Sequence, residues 1–314
     1  VNEQDWLAER FDAHRPHLRA AAYRMLGSLS EADDAVQEAW LRLSRSEVGE
    51  VRNLAGWLTT VVGRVCLDML RSRRSLREEP LEVYLPDPIV EAAEVSDPEQ
   101  QALLADSVGL ALLVVLDKLS PQERLAFVLH DMFGVSFDDI APIVDRSPAT
   151  ATQLASRARR RVRGASPVPD PNLGRQREVV EAYLAASRGG DFAALLAVLD
   201  PDVVLRADYG ELQLGVPKLV RGAQDVATQA QLFSRLGPAA RLVLVNGAIG
   251  CVVFLDERLF AVVGFTVANG RIVELDILAS PQRLDRLAIA HDLCPVRGED
   301  RANAGINSGD RCRP

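Results

Sequence analysis

The chain has 314 residues, 48% of them hydrophobic, and a formal net charge of −8. That length and apolar content exclude a disordered chain and leave room for two or three packed domains. The negative sum does not exclude a nucleic-acid partner: eight acids and no Lys or Arg lie between Pro80 and Asp117, whereas six arginines and no acid lie between Arg146 and Arg163. Lys118 and Lys218 are the only lysines, so the basic surfaces are planar guanidinium surfaces suited to phosphate and guanine.

Cys66, Cys251, Cys294 and Cys312 are too scattered for a metal site or a disulfide framework and read as reduced thiols. His14, His17, His130 and His291 are equally dispersed, and no metal or cofactor is expected. No apolar run is long enough to span a bilayer and no cationic, apolar leader precedes Trp6, so the cytoplasm is the expected compartment and no membrane partner is expected.

From Trp6 to about Glu79 the pattern is helical. Leu7, Phe11, Leu18, Ala21, Ala22, Met25 and Leu26 recur at packing intervals, and Gly27 ends this unit. Ser30 is the expected cap of the next helix, with Glu31, Asp33 and Asp34 favouring its positive end. Ala35, Val36, Ala39, Trp40 and Leu43 face inward there and leave Asp34, Gln37, Glu38 and Arg42 outside. After a polar loop from Ser44 to Asn53, a third helix to about Arg77 joins a stripe of Trp57, Leu58, Val61, Val65, Leu67 and Leu70 to a basic end.

Pro80 to about Gln100 is an acidic linker with Pro80, Pro86, Pro88 and Pro98. Its segment Tyr84-Leu85-Pro86-Asp87-Pro88 is extended, since a residue before proline is pushed out of helical geometry. Tyr84, Leu85 and Ile89 call for burial, so this segment is expected to dock on another surface, with a plain semi-rigid connector as the alternative. Leu103 to Leu119 reads as a helix, and Ser120-Pro121-Gln122-Glu123 as a capping box with proline at the first helical position.

Val135 to Gly164 then gives two short helices broken at Asp145-Arg146. Phe137, Ile140, Ala141, Ile143 and Val144 make an apolar face on the first, and Ser147 with Pro148 starts the second. This is a helix-turn-helix pattern. A second helix in a major groove would present Thr150, Thr152, Gln153 and Arg157 to base edges, with Arg159, Arg160, Arg161 and Arg163 at phosphates. A helical hairpin with a solvated basic face stays open at this point. Gly164 to Gly174 is a boundary rich in Pro and Gly.

The remainder mixes helices (175–188, 192–199, 223–236) with strands (203–206, 241–246, 249–255, 259–267, 271–278), divided by turns at Asn246-Gly247, Asp256-Glu257 and Asn269-Gly270. A curved antiparallel sheet wrapped round helices is the economical fold, followed by a polar tail from Pro295 that is expected to be mobile.

Three stretches together, DDAVQEAWLRL, GWLTTVVGRVCLDMLRSRR and the helix-turn-helix, resemble bacterial sigma factors of the extracytoplasmic-function (ECF) group. The later half resembles the SnoaL-like, cone-shaped barrel family, and ECF factors with such an extension form a recognised subgroup. The resemblance implies two all-α sigma domains followed by an α+β SnoaL-like barrel: residues 1–79 as region two, 80–102 as linker, 103–164 as region four, 165–174 as linker, 175–294 as SnoaL-like domain, and 295–314 as tail. It implies further that Asp34, Gln37, Glu38 and Arg42 dock on the clamp helices of the largest RNA polymerase subunit, and that region four sits on the flap of the second-largest subunit. Arg64, Arg71, Arg73 and Arg74 would lie towards minus-ten DNA, where many members carry Asn in place of Arg64. The Ser44 to Asn53 loop would receive a flipped base of the melted strand, and Thr150, Thr152, Gln153, Arg157, Arg160 and Arg161 would read the minus-thirty-five duplex.

The subgroup's tryptophan-leucine-proline-glutamate-proline linker motif appears here as Tyr84-Leu85-Pro86-Asp87-Pro88. Its glycine-rich motif appears as Asp208-Tyr209-Gly210-Glu211, and its late asparagine-proline motif as Ser280-Pro281-Gln282-Arg283-Leu284. These carry the expected regulation in cis, with the third domain packing on Tyr84 to Ile89. Barrels of this type often enclose a pocket with a carboxylate base, for which Asp208 and Asp276 are candidates with Tyr209 as a donor, so an unidentified small ligand is one expectation. Two other readings are an isomerase or hydrolase whose helical half targets it to DNA, and a repressor acting without polymerase.

Overall fold

A computed structural model describes residues 3–45, 53–76, 84–92, 109–165, 168–212, 218–235, 239–256 and 258–287. Most of the expected base-receiving loop, the acidic remainder of the linker and the expected mobile tail lie outside the described residues. The chain divides into two compact units: Val1–Leu81 with Leu112–Ser166, and Glu82–Ala111 with Pro167–Pro314.

The first unit opens with α1 (Glu3–Leu26), α2 (Leu29–Leu43) and α3 (Leu54–Leu76). Gly27 takes φ 69°, a left-handed turn that glycine makes without steric cost, and this reverses the chain between α1 and α2. The turn leaves Ser28 in extended geometry, where its hydroxyl accepts from the Glu31 amide at 3.5 Å. Ser28 is therefore the cap, and the expected Ser30 falls inside the first turn with its hydroxyl 3.1 Å from that of Ser28. Phe11, Leu18, Met25 and Leu26 meet Ala35, Val36, Ala39 and Leu43 and the α3 stripe Leu58, Val61, Val65, Leu67 and Leu70 in the core. Trp40 is half-buried, its ring 5.1 Å from that of Phe11.

The same unit contains α4 (Leu110–Asp117, its first two residues belonging to the second unit), α5 (Pro121–Phe127), α6 (Phe137–Val144) and α7 (Pro148–Ala165). The capping box at Ser120 is formed: the Ser120 hydroxyl accepts from the Glu123 amide at 3.3 Å, and Glu123 Oε2 accepts from the Ser120 amide at 3.2 Å. After Phe127 the helix widens into one π-helical turn, Val128–Met132, a feature with no signature in the apolar spacing. α6 ends at Asp145, left-handed at φ 54°, and Ser147 caps α7 by accepting from the Thr150 amide at 3.3 Å.

Within this unit α3 packs on the helix-turn-helix. A Cβ added to Gly63 would stand 3.4 Å from Leu129 and 3.5 Å from Ile143, ordinary contact that brings the two backbones close. Arg24 lies over the Phe133 ring at 4.7 Å, and His17 meets that ring edge-on.

The second unit is α+β. α8 (Leu173–Gly189) and α9 (Phe192–Val198) lead into β2 (Leu199–Asp208) and β3 (Leu219–Arg221); α10 (Ala223–Ser234) precedes β4 (Ala239–Val245), β5 (Ala248–Leu255), β6 (Arg258–Ala268) and β7 (Arg271–Leu278). A short α11 (Pro281–Leu284) follows. Asn246-Gly247 and Asn269-Gly270 all have positive φ, the pattern of hairpin turns whose twist matches that of the strands.

The sheet departs from expectation in three ways, the first being the short strand β3 at 219–221, which pairs antiparallel with β2. β2 pairs with β7 in parallel, so the sheet is mixed, because β2 enters from the helices and not through a hairpin. An additional edge strand, β1 (Val90–Ala92), comes from the linker and pairs antiparallel with β4, Val90 opposite Val245, giving the order β1-β4-β5-β6-β7-β2-β3. One sheet face packs on the helices through Tyr183, Leu195, Val226, Phe265 and Leu275. The other gathers Val90, Leu110, Val243, Phe254, Val262 and Leu284.

Replacing Ser120 with Ala removes the cap of α5 and one partner of Glu123. A loss of about 1 kcal/mol is expected, read as a lower midpoint in thermal unfolding followed by circular dichroism.

Candidate functional site

The densest polar constellation of the second unit surrounds Arg283, on α11. This guanidinium bonds Asp208 Oδ2 through Nη1 at 2.7 Å and the Leu85 carbonyl through Nη2 at 2.6 Å. Its Nε reaches Asp87 Oδ1 at 3.0 Å, and Nη2 also contacts that oxygen. Tyr84 closes one face, with its ring centre 4.6 Å from the guanidinium carbon. Burial opposes the charge, but Tyr84, Asp87 and Asp208 outweigh it and raise the pKa of Arg283 above the ordinary arginine value.

Asp208 is 6% exposed and committed at both oxygens. Oδ2 also accepts from the Leu85 amide at 3.2 Å, and Oδ1 accepts from the Gly210 amide at 2.9 Å. Gly210 stands at φ 57°, and a Cβ there would lie 2.4 Å from the Ser280 hydroxyl. The close approach that requires this glycine is thus made by Ser280 of the same domain. Further along, Ile89 and Asn246 exchange two bonds: the Ile89 amide donates to Asn246 Oδ1 at 3.1 Å, and the Asn246 amide donates to the Ile89 carbonyl at 2.8 Å. Leu85 is 1% exposed, and Pro86 and Pro88 hold the stretch between these anchors extended.

Asp276, 2% exposed, is gripped by Arg206 through Nε at 2.7 Å and Nη2 at 3.4 Å, and Glu274 meets the same guanidinium at 2.9 Å. Burial opposes the Arg206 charge, but Asp276 and then Glu274 raise its pKa. Tyr209 is half-buried and its phenol pKa is raised by burial. Asp208 and Asp276 therefore stand in two separate ion-pair clusters, one holding the linker and one bracing β2 against β7.

The helix-turn-helix sorts its arginines. Gln153, Arg157, Arg160 and Arg163 are exposed on α7, as is Thr152, whose hydroxyl donates to the Pro148 carbonyl at 3.0 Å. Thr150 is half-buried, its hydroxyl 3.0 Å from that of Ser147. Arg159 binds Asp131 at 2.5 Å and Arg161 binds Glu123 at 2.7 Å, so both brace α7 against its support helix. Ala151, Leu154, Ala155 and Ala158 form the buried side.

On α2, Asp34, Gln37 and Arg42 are exposed and Glu38 half-exposed, with Arg42 Nε bonded to Glu38 at 2.8 Å one helical turn away. On α3, Arg64 is exposed and donates to the Pro142 carbonyl at 3.3 Å, and Arg71 lies 3.6 Å from Asp68. Arg73 points inward instead, paired with Glu31 and bonded to the Leu26 carbonyl at 3.0 Å. Arg74 lies on the last turn of α3, with its side chain outside the described residues. Sequence reasoning did not assign Arg283 or Asn246. Arg283 lies inside the quoted late motif, but Asp208 is 75 positions away from it and Leu85 and Asp87 are nearly 200.

Two all-α modules with a helix-turn-helix, joined through a linker that completes the sheet of an α+β domain, define the class. Family models for Sigma-70 region 2 and Sigma-70 region 4 match residues 10–76 and 109–162. The chain is 34% identical over 290 residues to the probable ECF RNA polymerase sigma factor SigI of Mycobacterium tuberculosis, covering 91% of this chain and 98% of that protein. It is 36% identical over 292 residues to the ECF RNA polymerase sigma factor SigJ of the same organism, covering 87% and 91%. The crystal structure of M. tuberculosis SigJ superposes with a TM-score of 0.70 at 33% identity, over 90% of this chain and all of that one. The chain belongs to the ECF RNA polymerase sigma factors, whose activity is promoter-directed transcription initiation, and its helical unit is followed by an α+β domain.

Substituting Arg283 with Met leaves buried Asp208 and half-buried Asp87 without a counter-charge, which costs about 3 kcal/mol. Linker amides 84–92 should then exchange hydrogen at least a hundredfold faster, by mass spectrometry, while those of α2 and α3 stay unchanged. Gly210→Ala, which collides with Ser280, should give the same pattern in weaker form.

Proposed function

We propose that the C-terminal domain regulates this sigma factor in cis by gripping the linker between its two DNA-reading modules. The observation that carries this reading is the conversion of residues 90–92 into an edge strand, locked by Arg283 and Asn246. Fixing the middle of the linker shortens the reach between the modules. Fully released, the roughly 30 residues between α3 and α4 could extend to about 100 Å.

A second observation supports the same direction. In the helical unit Gly63 lies against Leu129 and Ile143, and Arg64 donates to the Pro142 carbonyl. Minus-ten and minus-thirty-five elements lie about 25 base pairs apart, ~85 Å along B-form DNA. Modules in direct contact do not reach both elements, so the closed pairing is the resting form and opening accompanies assembly on polymerase.

In the open form, exposed Gln153 and Arg157 read bases of the minus-thirty-five duplex, with Thr150 and Thr152 beside them. Arg160 and Arg163 meet phosphates, and Arg161 joins them only by leaving Glu123. Arg64, Arg71 and Arg74 serve the melted minus-ten strand, and Arg73 is a structural cation. Asp34, Gln37, Glu38 and Arg42 dock on the clamp helices of the largest polymerase subunit, and region four docks on the flap of the second-largest. The compartment is the cytoplasm, where polymerase and promoter are met.

An isomerase or hydrolase reading needs a carboxylate able to accept a proton from substrate. Asp208 and Asp276 instead accept from Arg283, Arg206 and backbone amides. A polymerase-independent repressor would use α7 but give no role to the α2 face.

In vitro transcription with core polymerase tests the proposal. Arg157→Ala should lower promoter-dependent initiation roughly tenfold without changing core binding. Asp34→Ala combined with Glu38→Ala should weaken core binding, measured by fluorescence anisotropy. Arg283→Met should raise initiation several-fold, and unchanged initiation in a variant whose linker exchange has accelerated would overturn regulation through the clamp.

A further inference from the structure

The two sigma modules of the helical unit meet along α3, at Gly63 and Arg64, and also along α1, where the end of the π-helical turn of region four delivers Phe133. The Arg24 guanidinium carbon stands 4.7 Å from the Phe133 ring centre, and the His17 ring meets that ring edge-on, the centres 4.9 Å apart and the planes at 88°. Arg24 is engaged through its backbone too. Its carbonyl lies in the last turn of α1, where carbonyls lack intrahelical partners, and accepts from Arg124 Nε of region four at 3.2 Å.

Phe133 is not needed for the core of its own module. Leu125, Val128, Leu129, Ile140 and Val144 are at most 1% exposed, whereas Phe133 is half-buried, and the ring contacts described for it come from α1. Single π turns inside α-helices occur frequently at functional sites. This one divides its side chains between two partners: Asp131 bonds Arg159 of α7 at 2.5 Å, and Phe133, two residues later, reaches the other module. A contact at Gly63 alone would let the modules pivot about it. With Phe133 seated on a second helix, they cannot turn without sliding the ring off Arg24, and a cation held over an aromatic face is attracted more strongly as water is withdrawn.

We propose that Phe133 is the latch of the closed pairing, its ring seated against Arg24 and His17 of α1, so that region four turns away from region two only when this contact breaks. The proposal rests on the reading of the closed pairing as the resting form. It adds a control point independent of the linker: the grip of Arg283 limits how far the modules part, and the seat of Phe133 limits how often they do.

Cys66 supplies a natural readout. Gly63, Cys66 and Leu70 follow one another at three and four residues and so share the face of α3 that meets Leu129 and Ile143. The Cys66 thiol is fully buried; burial raises its pKa to about 12, and the charge of Arg124, on α5 of the facing module, pulls it back down. Because the thiolate is the form that alkylates, the closed seam protects Cys66 and opening unmasks it.

The test is alkylation of the full chain by N-ethylmaleimide, followed by peptide mass spectrometry, with buried Cys251 of the α+β domain as the control for global unfolding. Core polymerase should accelerate Cys66 and not Cys251; no acceleration overturns the closed pairing as the resting form, and the latch with it. In the free chain Phe133→Ala should speed Cys66 about tenfold with Cys251 unchanged. Arg24→Gln should speed it several-fold, and Phe133→Tyr, which keeps the ring, should match the wild type. Arg24→Gln combined with Phe133→Ala should be no faster than Phe133→Ala alone. Unchanged Cys66 protection in Phe133→Ala, or additive acceleration in the double variant, overturns the latch and leaves the linker clamp standing. Acceleration of both cysteines in Phe133→Ala overturns it too, by making Phe133 a residue of the general fold.

Discussion

The structure of the second unit depends on a buried charge that no local interaction could hold. Arg283 meets two carboxylates, a carbonyl and an aromatic face, and both carboxylates are themselves largely withdrawn from water. Such a group is stable only when every partner is present, because removing one leaves an uncompensated charge in a poorly polar site. That interdependence turns a proline-stiffened linker into part of a sheet. Leu85, Asp87 and Ile89 cannot leave one at a time without exposing the donors and acceptors that the others satisfy. The edge strand also covers β4, which would otherwise present unpaired backbone groups.

A linker held in this way couples a small domain to a promoter-reading pair. The helical unit adds a complementary constraint: α3 and the helix-turn-helix approach closely at Gly63, and Arg64 of α3 donates to the Pro142 carbonyl. The basic run of α7 is not one surface either. Arg159 and Arg161 fasten the helix to Asp131 and Glu123, leaving Gln153, Arg157, Arg160 and Arg163 outward. The run of arginines thus divides between residues that fasten α7 and residues that face outward, and the presence of a carboxylate on the support helix decides which is which.

The α+β domain illustrates how strand carboxylates can serve structure and not chemistry. Asp208 and Asp276 sit on strands where a pocket carboxylate would be sought, yet each is saturated by an arginine and the first also by backbone amides. Tyr183, Leu195, Phe265 and Leu275 fill the space between sheet and helices with side chains. The domain's chemistry has been turned outward, towards the linker.

Periodicity, capping and turn residues were enough to locate the helices, the hairpins at Asn246-Gly247 and Asn269-Gly270 and the helix-turn-helix, because those are local preferences expressed within a few residues. The quoted motifs were enough to place the chain among the ECF sigma factors. The cap of α2 falls at Ser28, two residues before the expected Ser30, because the left-handed Gly27 decides where the helix begins. What only the tertiary structure decided rests on partners far apart in sequence: Arg283 with Asp87, Arg206 with Asp276, Arg73 with Glu31, and Val90 with Val245. A residue's sequence neighbours fix its backbone, but whether its charge faces DNA, a linker or another charge depends on what the fold brings within about 3 Å of it.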